Sequence, residues 1–277
     1  MSSATGIGKE VARHYDALDP LYRRIWGDHV HHGLWKTGQE SAQEAMKGMS
    51  RFVAEQAEIG SEDRVCDVGC GYGATAKLLA SEQGALVTGV TISRKQFERA
   101  VESGNENPTF KLADWLENDF DDSSFDAVIA MESTEHLPDL SRGVSEMGRV
   151  LRRGGRLVIC AWLTAPDLEP WEIKHLFKPI QKHGHLVGMT REDTYHALIQ
   201  HAGLRLISSV DLSKNVARTW PTCILRTFSG LFRDREIRRF LFSQPIRNLS
   251  FGLTLLRIWL AYSTGAMRYV SFKAVKP

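Results

Sequence analysis

Asp67, Gly69, Gly71 and Gly73 fall at alternate positions in the run Val65-Cys66-Asp67-Val68-Gly69-Cys70-Gly71-Tyr72-Gly73, where a short apolar stretch gives way to a helical pattern. Glycines there allow a tight turn and let a ligand lie against the backbone. The helix beyond offers free N–H groups and the positive end of its dipole. A dinucleotide would set its pyrophosphate there, but its fingerprint spaces the glycines G-x-G-x-x-G. The G-x-G-x-G spacing behind Asp67 suits S-adenosyl-L-methionine (SAM) instead. The amino-acid tail of SAM has a carboxylate for backbone N–H groups and an ammonium for an acid or carbonyl. Taken alone, the same glycines also read as a purely structural strand–helix turn.

Three further groups stand at the ends of later apolar runs, where ligands bind in sheets of this kind. Gly89-Val90-Thr91-Ile92-Ser93 is followed by Gln96. Many nucleoside-binding folds carry an acid here for the ribose hydroxyls; this chain has Thr91, and Gln96 could take over that task. In Leu112-Ala113-Asp114-Trp115, Asp114 could accept from the adenine amino group while Trp115 covers the ring. A helix N-cap and a core tryptophan would use the same two residues. Met131-Glu132-Ser133-Thr134-Glu135-His136-Leu137-Pro138-Asp139 sets polar groups directly behind the apolar Val128-Ile129-Ala130, which ordinary core does not explain.

The elements that must hold these residues follow from hydrophobic periodicity. Apolar runs at 64–68, 85–90, 124–130 and 155–161 alternate with helical stretches at 74–81, 94–103 and 140–151. A helix at 190–202 and a strand at 204–210 continue the alternation. Such alternation implies right-handed crossovers and a doubly wound, mostly parallel α/β sheet. Helices at 9–26 and 40–58 precede the first strand; in the former, Val11, Tyr15, Leu18, Leu21, Tyr22 and Ile25 form one stripe. Residues 220–265 read as amphipathic helices, and Met267 to Val275 alternates like a strand. A strand arriving after so long an insertion is expected to join as the seventh, antiparallel.

With these residues in view, the chain resembles the class I SAM-dependent methyltransferases. It is similar in particular to their γ-tocopherol methyltransferase branch, which shares features with cyclopropane-fatty-acid synthases. The resemblance is carried by the Asp67–Gly73 turn, by Val90-Thr91-Ile92-Ser93 with Gln96, and by Met131-Glu132-Ser133 with Glu135-His136. Residues 151–162 (Leu-Arg-Arg-Gly-Gly-Arg-Leu-Val-Ile-Cys-Ala-Trp) add to it, as do His14-Tyr15-Asp16, Trp26-Gly27 and His31-His32-Gly33-Leu34-Trp35. It spans residues 10–212 and fades across 213–265. It implies an enzyme of class EC 2.1.1 that uses SAM and releases S-adenosyl-L-homocysteine. Gly69 and Gly71 would lie against the methionine part of SAM, with Asp67 organising the turn. Thr91, Ile92 and Gln96 would sit at the ribose, Asp114 and Trp115 at the adenine, and Met131 and Glu132 on the inner wall. Tyr15 and Trp35 would come from the N-terminal cap to close over SAM. The chain then divides into a helical cap (1–60), a SAM-binding Rossmann-like core (61–212), a helical lid setting acceptor specificity (213–265) and the final strand (266–277).

Methyl transfer requires a nucleophile aligned with the S–CH3 bond, exclusion of water and often removal of a proton. Glu135 and His136 are the candidates for that proton or for orienting the acceptor. Histidine titrates near neutral pH and is the natural base for a phenol or amine. His136 as a hydrogen-bonded structural residue is an equal alternative. Asp167, Glu169 and Glu172 form a second acidic group after the fifth strand, where a carboxylate such as Glu172 could stabilise a carbocation formed from an alkene. Tyr15, Trp35, Trp162 and Trp171 offer aromatic faces to a cationic centre. His29, His31 and His32 read as cap packing and hydrogen bonding. No metal is expected: no acidic partner completes a site, and sulfonium chemistry needs none.

Within 213–265, apolar residues from Trp220 to Trp259 interleave with Arg226, Arg233, Arg235, Arg238, Arg239, Arg247 and Arg257. These arginines fit a solvated face, a phosphate or diphosphate on the acceptor, an anionic membrane surface or a partner subunit. The acceptor is expected to be a small lipophilic metabolite, isoprenoid or aromatic, methylated on carbon. Methylation on nitrogen or oxygen of an aromatic or alkaloid-like acceptor is the alternative, and a non-catalytic SAM-binding protein a second. The 277 residues are 43% hydrophobic and 25% charged, which supports a sizeable core and excludes global disorder. A net charge of +2 does not mark a nucleic-acid binder. Cys66, Cys70, Cys160 and Cys223 form neither a disulfide framework nor a zinc spacing, which fits a reducing compartment. Met1 to Glu10 lacks the apolar stretch of a leader, and no apolar run reaches about 18 residues, the length of a membrane span. A cytoplasmic enzyme is expected, with peripheral membrane contact and homo-oligomerisation left open.

Overall fold

The computed structural model describes residues 4–102, 104, 106–187, 189–243 and 245–277. The start of the stretch read for a leader, residues 1–3, lies outside them, as does the side chain of Arg247 in the lid. Strands β1 (Arg64–Val68), β2 (Leu86–Thr91), β3 (Thr109–Leu112), β4 (Phe125–Met131), β5 (Leu151–Thr164), β6 (Arg205–Asp211) and β7 (Met267–Val275) form one sheet in the order β3-β2-β1-β4-β5-β7-β6. β1 to β5 pair in parallel, and β7 runs antiparallel to both β5 and β6. This is the doubly wound seven-stranded α/β sheet the periodicity predicts, with the last strand reversed.

All seven residues of β4 are buried, as a central strand covered on both faces requires. Alternate residues feed two cores, one on each face. Val65, Ala127, Ile129 and Met131 join one; Cys66, Val68, Val128 and Ala130 join the other. The first core also takes in the helical cap, α1 (Ala4–Ile25) and α2 (Ala42–Gln56), through residues such as Leu21, Ile25, Met49 and Val53. Helices α3 (Ala74–Gln83), α4 (Arg94–Val101) and α5 (Leu140–Val150) make the parallel crossovers. After β5 come α6 (Pro170–Glu172), a single π turn (Ile173–Phe177) and α7 (Lys178–Gly184). This stretch is absent from the periodicity reading, because Pro170 and Pro179 break up its helical signal. Helix α8 (Glu192–His201) leads to β6. The insertion before β7 comprises α9 (Ser213–Val216), α10 (Thr219–Arg233), α11 (Arg235–Ser243) and α12 (Pro245–Thr264).

Two features of this topology position the site. Strand order reverses at the β1–β4 pair, which leaves a crevice beyond the strands' carboxyl ends. Helix α1 is fastened across that crevice. Asp16 accepts from Ser93 Oγ at 2.6 Å and from Lys95 N at 3.2 Å, and Tyr72 donates to Asp19 at 2.8 Å. Near its start the helix passes so close that a Cβ on Gly8 would stand 2.9 Å from Asp114 Oδ2 and 3.0 Å from Ile92 Cδ1.

Candidate active site

Beyond the ends of β1, β2 and β4 and beneath α1 lies a cavity lined by Tyr15, Gly69, Gly71, Thr91, Ile92, Gln96, Asp114, Trp115, Met131 and Glu132, among others. The local chain explains its floor. Gly69, Gly71 and Gly73 all take positive φ, at 78°, 55° and 75°. Gly69 also has no room for a side chain: a Cβ there would lie 2.3 Å from Ser133 Cβ, and Ser133 Oγ donates to Val68 O at 2.6 Å. The end of β4 is thus pinned against the glycine turn. A Cβ on Gly71, by contrast, would meet nothing within 4 Å and would point into open space.

Asp67 lies behind the turn, in a small recess shared with Gly69, Gly71, Ala74 and Thr75. It is 2% exposed and its Oδ2 has no hydrogen-bond partner. Burial pushes its pKa up to about 7. An orphaned, buried carboxylate oxygen beside a glycine turn fits the ammonium of an amino-acid tail. Thr91 Oγ1 donates to Gln96 Oε1 at 2.7 Å, which fixes the two side by side on the wall. Asp114 and Trp115 take the structural roles of N-cap and core tryptophan and also line the cavity. Asp114 Oδ1 caps Leu116 N at 3.0 Å, and Trp115 Nε1 donates to Gly143 O at 3.0 Å from within the core.

A second cavity lies across Tyr15, Val30, Glu132 and His136, which line both. Its other walls come from Tyr22 and Trp26, His31 and His32, Glu135, Trp162 of β5, Ile180, His183, Gly184 and Leu186 around α7, Trp220 of α10, and Thr254, Leu255 and Ile258 of α12. Cap, core and lid all contribute to it. Among the described lining residues there is no arginine or lysine.

The titratable groups at this junction are either satisfied or neutral. Glu132 sits at φ 54°, a strained value for a non-glycine residue. Its carboxylate accepts from His32 N at 2.7 Å, His32 Nδ1 at 2.9 Å and Tyr269 OH at 2.8 Å. Burial would raise its pKa, but His32 and His31 more than reverse that and bring it down to about 2. Trp220 Nε1, a donor only, gives its proton to His32 Nε2 at 2.8 Å. His32 thereby joins Trp220 to Glu132, with Nε2 toward the indole and Nδ1 toward the carboxylate. Glu135, 2% exposed, accepts from Trp162 N, and burial pushes its pKa up to about 8. Burial thus favours its protonated form near neutral pH.

His136 is held from both sides. Its Nδ1 lies 3.2 Å from the carbonyl of His185, which can only accept, so the proton is on Nδ1. Nε2 is then bare and accepts from Tyr15 OH at 2.7 Å. Burial lowers the pKa of His136 to about 4 and raises that of Tyr15 well above its usual value, so both are neutral near pH 7. The remaining cap histidines are engaged in hydrogen bonds: His31 Nδ1 donates to His32 O at 2.8 Å, and His29 Nδ1 to His31 Nε2 at 3.1 Å. Among the described residues no cluster of three or more His, Cys, Asp or Glu could hold a metal.

Two expected site residues stand elsewhere. Trp35 does not close over the first cavity. It packs on Ala42 and Ala45, Arg218 stacks 5.4 Å over its ring, and its Nε1 lies 3.3 Å from Thr219 Oγ1. It joins cap to lid. Glu172 does not reach the second cavity either: it accepts from Glu169 N at 3.0 Å in a capping box that starts α6. Trp171, next to it, is exposed. Conversely, neither Tyr269 nor the Glu132–His32–Trp220 chain is signalled by any sequence pattern. Its members lie 100 to 188 residues apart, and no local pattern joins them.

A glycine turn at a topological switch point with an orphaned acid beside it is the geometry expected of a nucleoside-binding α/β sheet. Residues 66–159 match the family described as Methyltransferase domain. Over 301 residues the chain is 33% identical to "Tocopherol O-methyltransferase, chloroplastic" of Arabidopsis thaliana, covering 100% of this chain and 84% of that protein. It is 32% identical over 274 residues to 27-O-demethylrifamycin SV methyltransferase of Amycolatopsis mediterranei (strain S699), covering 97% of each. The fold is that of mycolic acid cyclopropane synthase CmaA1, solved with SAH and CTAB, at a TM-score of 0.86 and 17% identity over 97% of this chain and 98% of that one. The chain belongs to the class I SAM-dependent methyltransferases, in their γ-tocopherol methyltransferase-like branch. It is an enzyme of class EC 2.1.1 whose cofactor is SAM.

Proposed function

We propose that this enzyme methylates a hydroxyl oxygen of a small, lipophilic, ring-bearing metabolite, with His136 receiving the hydroxyl proton directly or through Tyr15. Bound SAM supplies an electrophilic methyl group on a sulfonium. Asp67, Gly69 and Gly71 hold its amino-acid tail, Thr91, Ile92 and Gln96 meet the ribose, and Asp114 and Trp115 meet the adenine. Met131 and Glu132 form the inner wall. The acceptor occupies the second cavity, against Trp26, Trp162 and Trp220.

The observation that carries this reading is the neutral, weakly basic His136 with Nε2 turned toward the wall the two cavities share. Such a base would ionise very little of a free phenol in advance. It does suffice for a proton made strongly acidic as the oxygen acquires the methyl group. The sequence pointed first to carbon, by way of a carboxylate that stabilises a cation. Glu132 is committed to three hydrogen bonds and burial favours the protonated form of Glu135, so neither supports that route. The names of the two relatives also favour oxygen. The absence of arginine and lysine among the described lining residues of the second cavity argues against a diphosphate on the acceptor. Carbon methylation stays as a second reading because the edge-to-face rings of Trp26, Trp162 and Trp220 would favour a cationic centre. The four buried, unpaired cysteines support a reducing compartment such as the cytoplasm as the place of action.

The deciding experiment incubates the protein with methyl-labelled SAM and a panel of phenols, alcohols, quinols, indoles and prenyl diphosphates, then locates the label by mass spectrometry and NMR. Label on ether oxygen is expected. Label on carbon or nitrogen, or transfer only to the diphosphates, would overturn the reading.

A further inference from the structure

The lid turns apolar side chains both ways. Inward, Trp220 of α10 and Leu255 and Ile258 of α12 wall the second cavity. Outward, Leu225, Phe228 and Phe232 follow one another at i, i+3 and i+7 on α10, away from the buried Trp220, Cys223 and Thr227. Leu253, Leu256 and Leu260 repeat that spacing on α12. Phe232 is 82% exposed and Phe242, on α11, 71%. Isolated exposed apolar residues need no explanation, but stripes of them on packed helices do.

Charge accompanies this surface. Residues 219–264 carry seven arginines, no lysine and two acids, a surplus of five positive charges in a chain whose total is +2. One of the two acids, Asp234, is paired with Arg24 at 2.9 Å. Arg233, Arg235 and Arg239 are exposed. Beside α10, Arg226 and Arg233 continue into a broad groove that also holds Lys47 and Lys77. Among the described residues, no helix is long and apolar enough to cross a membrane.

We infer that the outer face of the lid docks on an anionic lipid surface, with α10 and α12 lying in the interface plane and the arginines among the headgroups. Aromatic and aliphatic residues supply burial and arginines supply selectivity, the two contributions by which amphipathic helices hold to such surfaces. A second copy of this chain fits the same face poorly, because a two-fold contact would set one positive lid against another. The purpose of docking rests on the lipophilic-acceptor reading: a membrane-dissolved acceptor would reach the second cavity through helices that line it on their other side. The docking itself does not depend on that reading.

The test is co-sedimentation of the full chain with vesicles of phosphatidylcholine alone, or of phosphatidylcholine and phosphatidylglycerol in equal parts. SAM affinity, melting temperature and sedimentation velocity are followed alongside. The protein should pellet with the anionic vesicles and be released by salt. Phe228→Ser with Phe232→Ser should weaken partition by at least about tenfold, with SAM affinity and melting temperature unchanged. Arg235→Glu with Arg239→Glu should remove the preference for anionic vesicles. Retention in the supernatant with both vesicle types would overturn the inference. So would equal binding to both that the paired phenylalanine changes leave intact, or a dimer in solution that those changes dissociate. None of these measurements uses an acceptor, so a wrong acceptor assignment and a failure to dock would be seen separately.

Discussion

The two cavities that share Tyr15 and His136 are built in opposite ways. The cofactor side draws most of its wall from the ends of consecutive strands, residues 67–132, and adds one helix across the top. The proposed acceptor side draws on residues from 15 to 258 and exists only once cap, core and lid have packed together. Their electrostatics differ too. On the cofactor side a buried carboxylate oxygen of Asp67 is left without a partner, as a site for a cationic ligand requires. On the acceptor side Glu132 is saturated and burial favours the neutral forms of Glu135 and His136, which suits a lipophilic acceptor. Topology dictates the first cavity, and packing between distant segments dictates the second.

The largest effect is expected on the cofactor side. Gly71→Val places its side chain in the open space where the methionine part of SAM would lie. Overpacking of that kind costs about 3 kcal/mol or more, which is a loss of at least about a hundredfold in SAM affinity. Turnover should vanish; valine is also strained at φ 55°, so the cofactor-free protein should melt somewhat lower but still cooperatively. Gly69→Ala sharpens the contrast. Its Cβ would collide with Ser133, so the fold itself should weaken. Calorimetry with SAM and thermal melts of both variants separate the two outcomes. Normal SAM affinity in Gly71→Val would remove the cofactor from this cavity.

On the acceptor side, His136→Ala should slow turnover by about a hundredfold, the usual contribution of a positioned base, and leave SAM affinity nearly unchanged. In the unaltered enzyme the rate limb attributable to His136 should appear only as pH falls through about 4, because the native ring stays unprotonated above that. Unchanged turnover in the variant, or a limb near the ordinary histidine value, would assign His136 to structure alone.

The two buried glutamates should give opposite stability slopes. The folded pKa of Glu132, about 2, is depressed, so its contribution is present above the ordinary glutamate value of 4.5 and is lost as pH falls toward 2. The folded pKa of Glu135, about 8, is raised. Between 4.5 and about 8 the unfolded chain has released this proton and the native one has not. Stability therefore falls as pH rises, by up to about 1.4 kcal/mol per pH unit for one such group. Glu135→Gln keeps an oxygen for Trp162 N and removes the titration. It should flatten the slope and raise the melting temperature near pH 8 relative to pH 5. Parallel melting curves for variant and parent across that range would show that Glu135 ionises in the native state.

What the sequence made legible follows the same division. The glycine turn, Thr91 with Gln96, and Asp114 with Trp115 could be placed because each sits within a few residues of a strand end, and a parallel sheet brings those ends together. The antiparallel β7 was legible from its alternation and its place after a long insertion. Trp35 was misplaced because the partners that hold it, Arg218 and Thr219, lie more than 180 residues away. For the same reason Tyr269 and the hydrogen-bond chain through Trp220, His32 and Glu132 could not be read at all. Neighbouring residue types suggest which chemistry is present, but the hydrogen-bond partners that fix a protonation state come from elsewhere in the chain.

Glu172 gives the smallest effect and bears on the acceptor chemistry. Its spacing from Glu169, followed by Pro170, satisfies the pattern of a helix start as well as that of an acidic cluster, and the structure uses it for the helix start. Glu172→Ala removes a cap and should lower stability by about 1 kcal/mol without changing turnover. The comparison with His136→Ala is the informative one: Glu172 is buried and His136 half-buried, both were candidates for catalysis, and of the two only His136 lines the second cavity. Turnover that fell as far in Glu172→Ala as in His136→Ala, under conditions where both variants are folded, would extend the acceptor site past α7. It would restore a carboxylate able to stabilise a cation, and with it carbon rather than oxygen as the methylated atom.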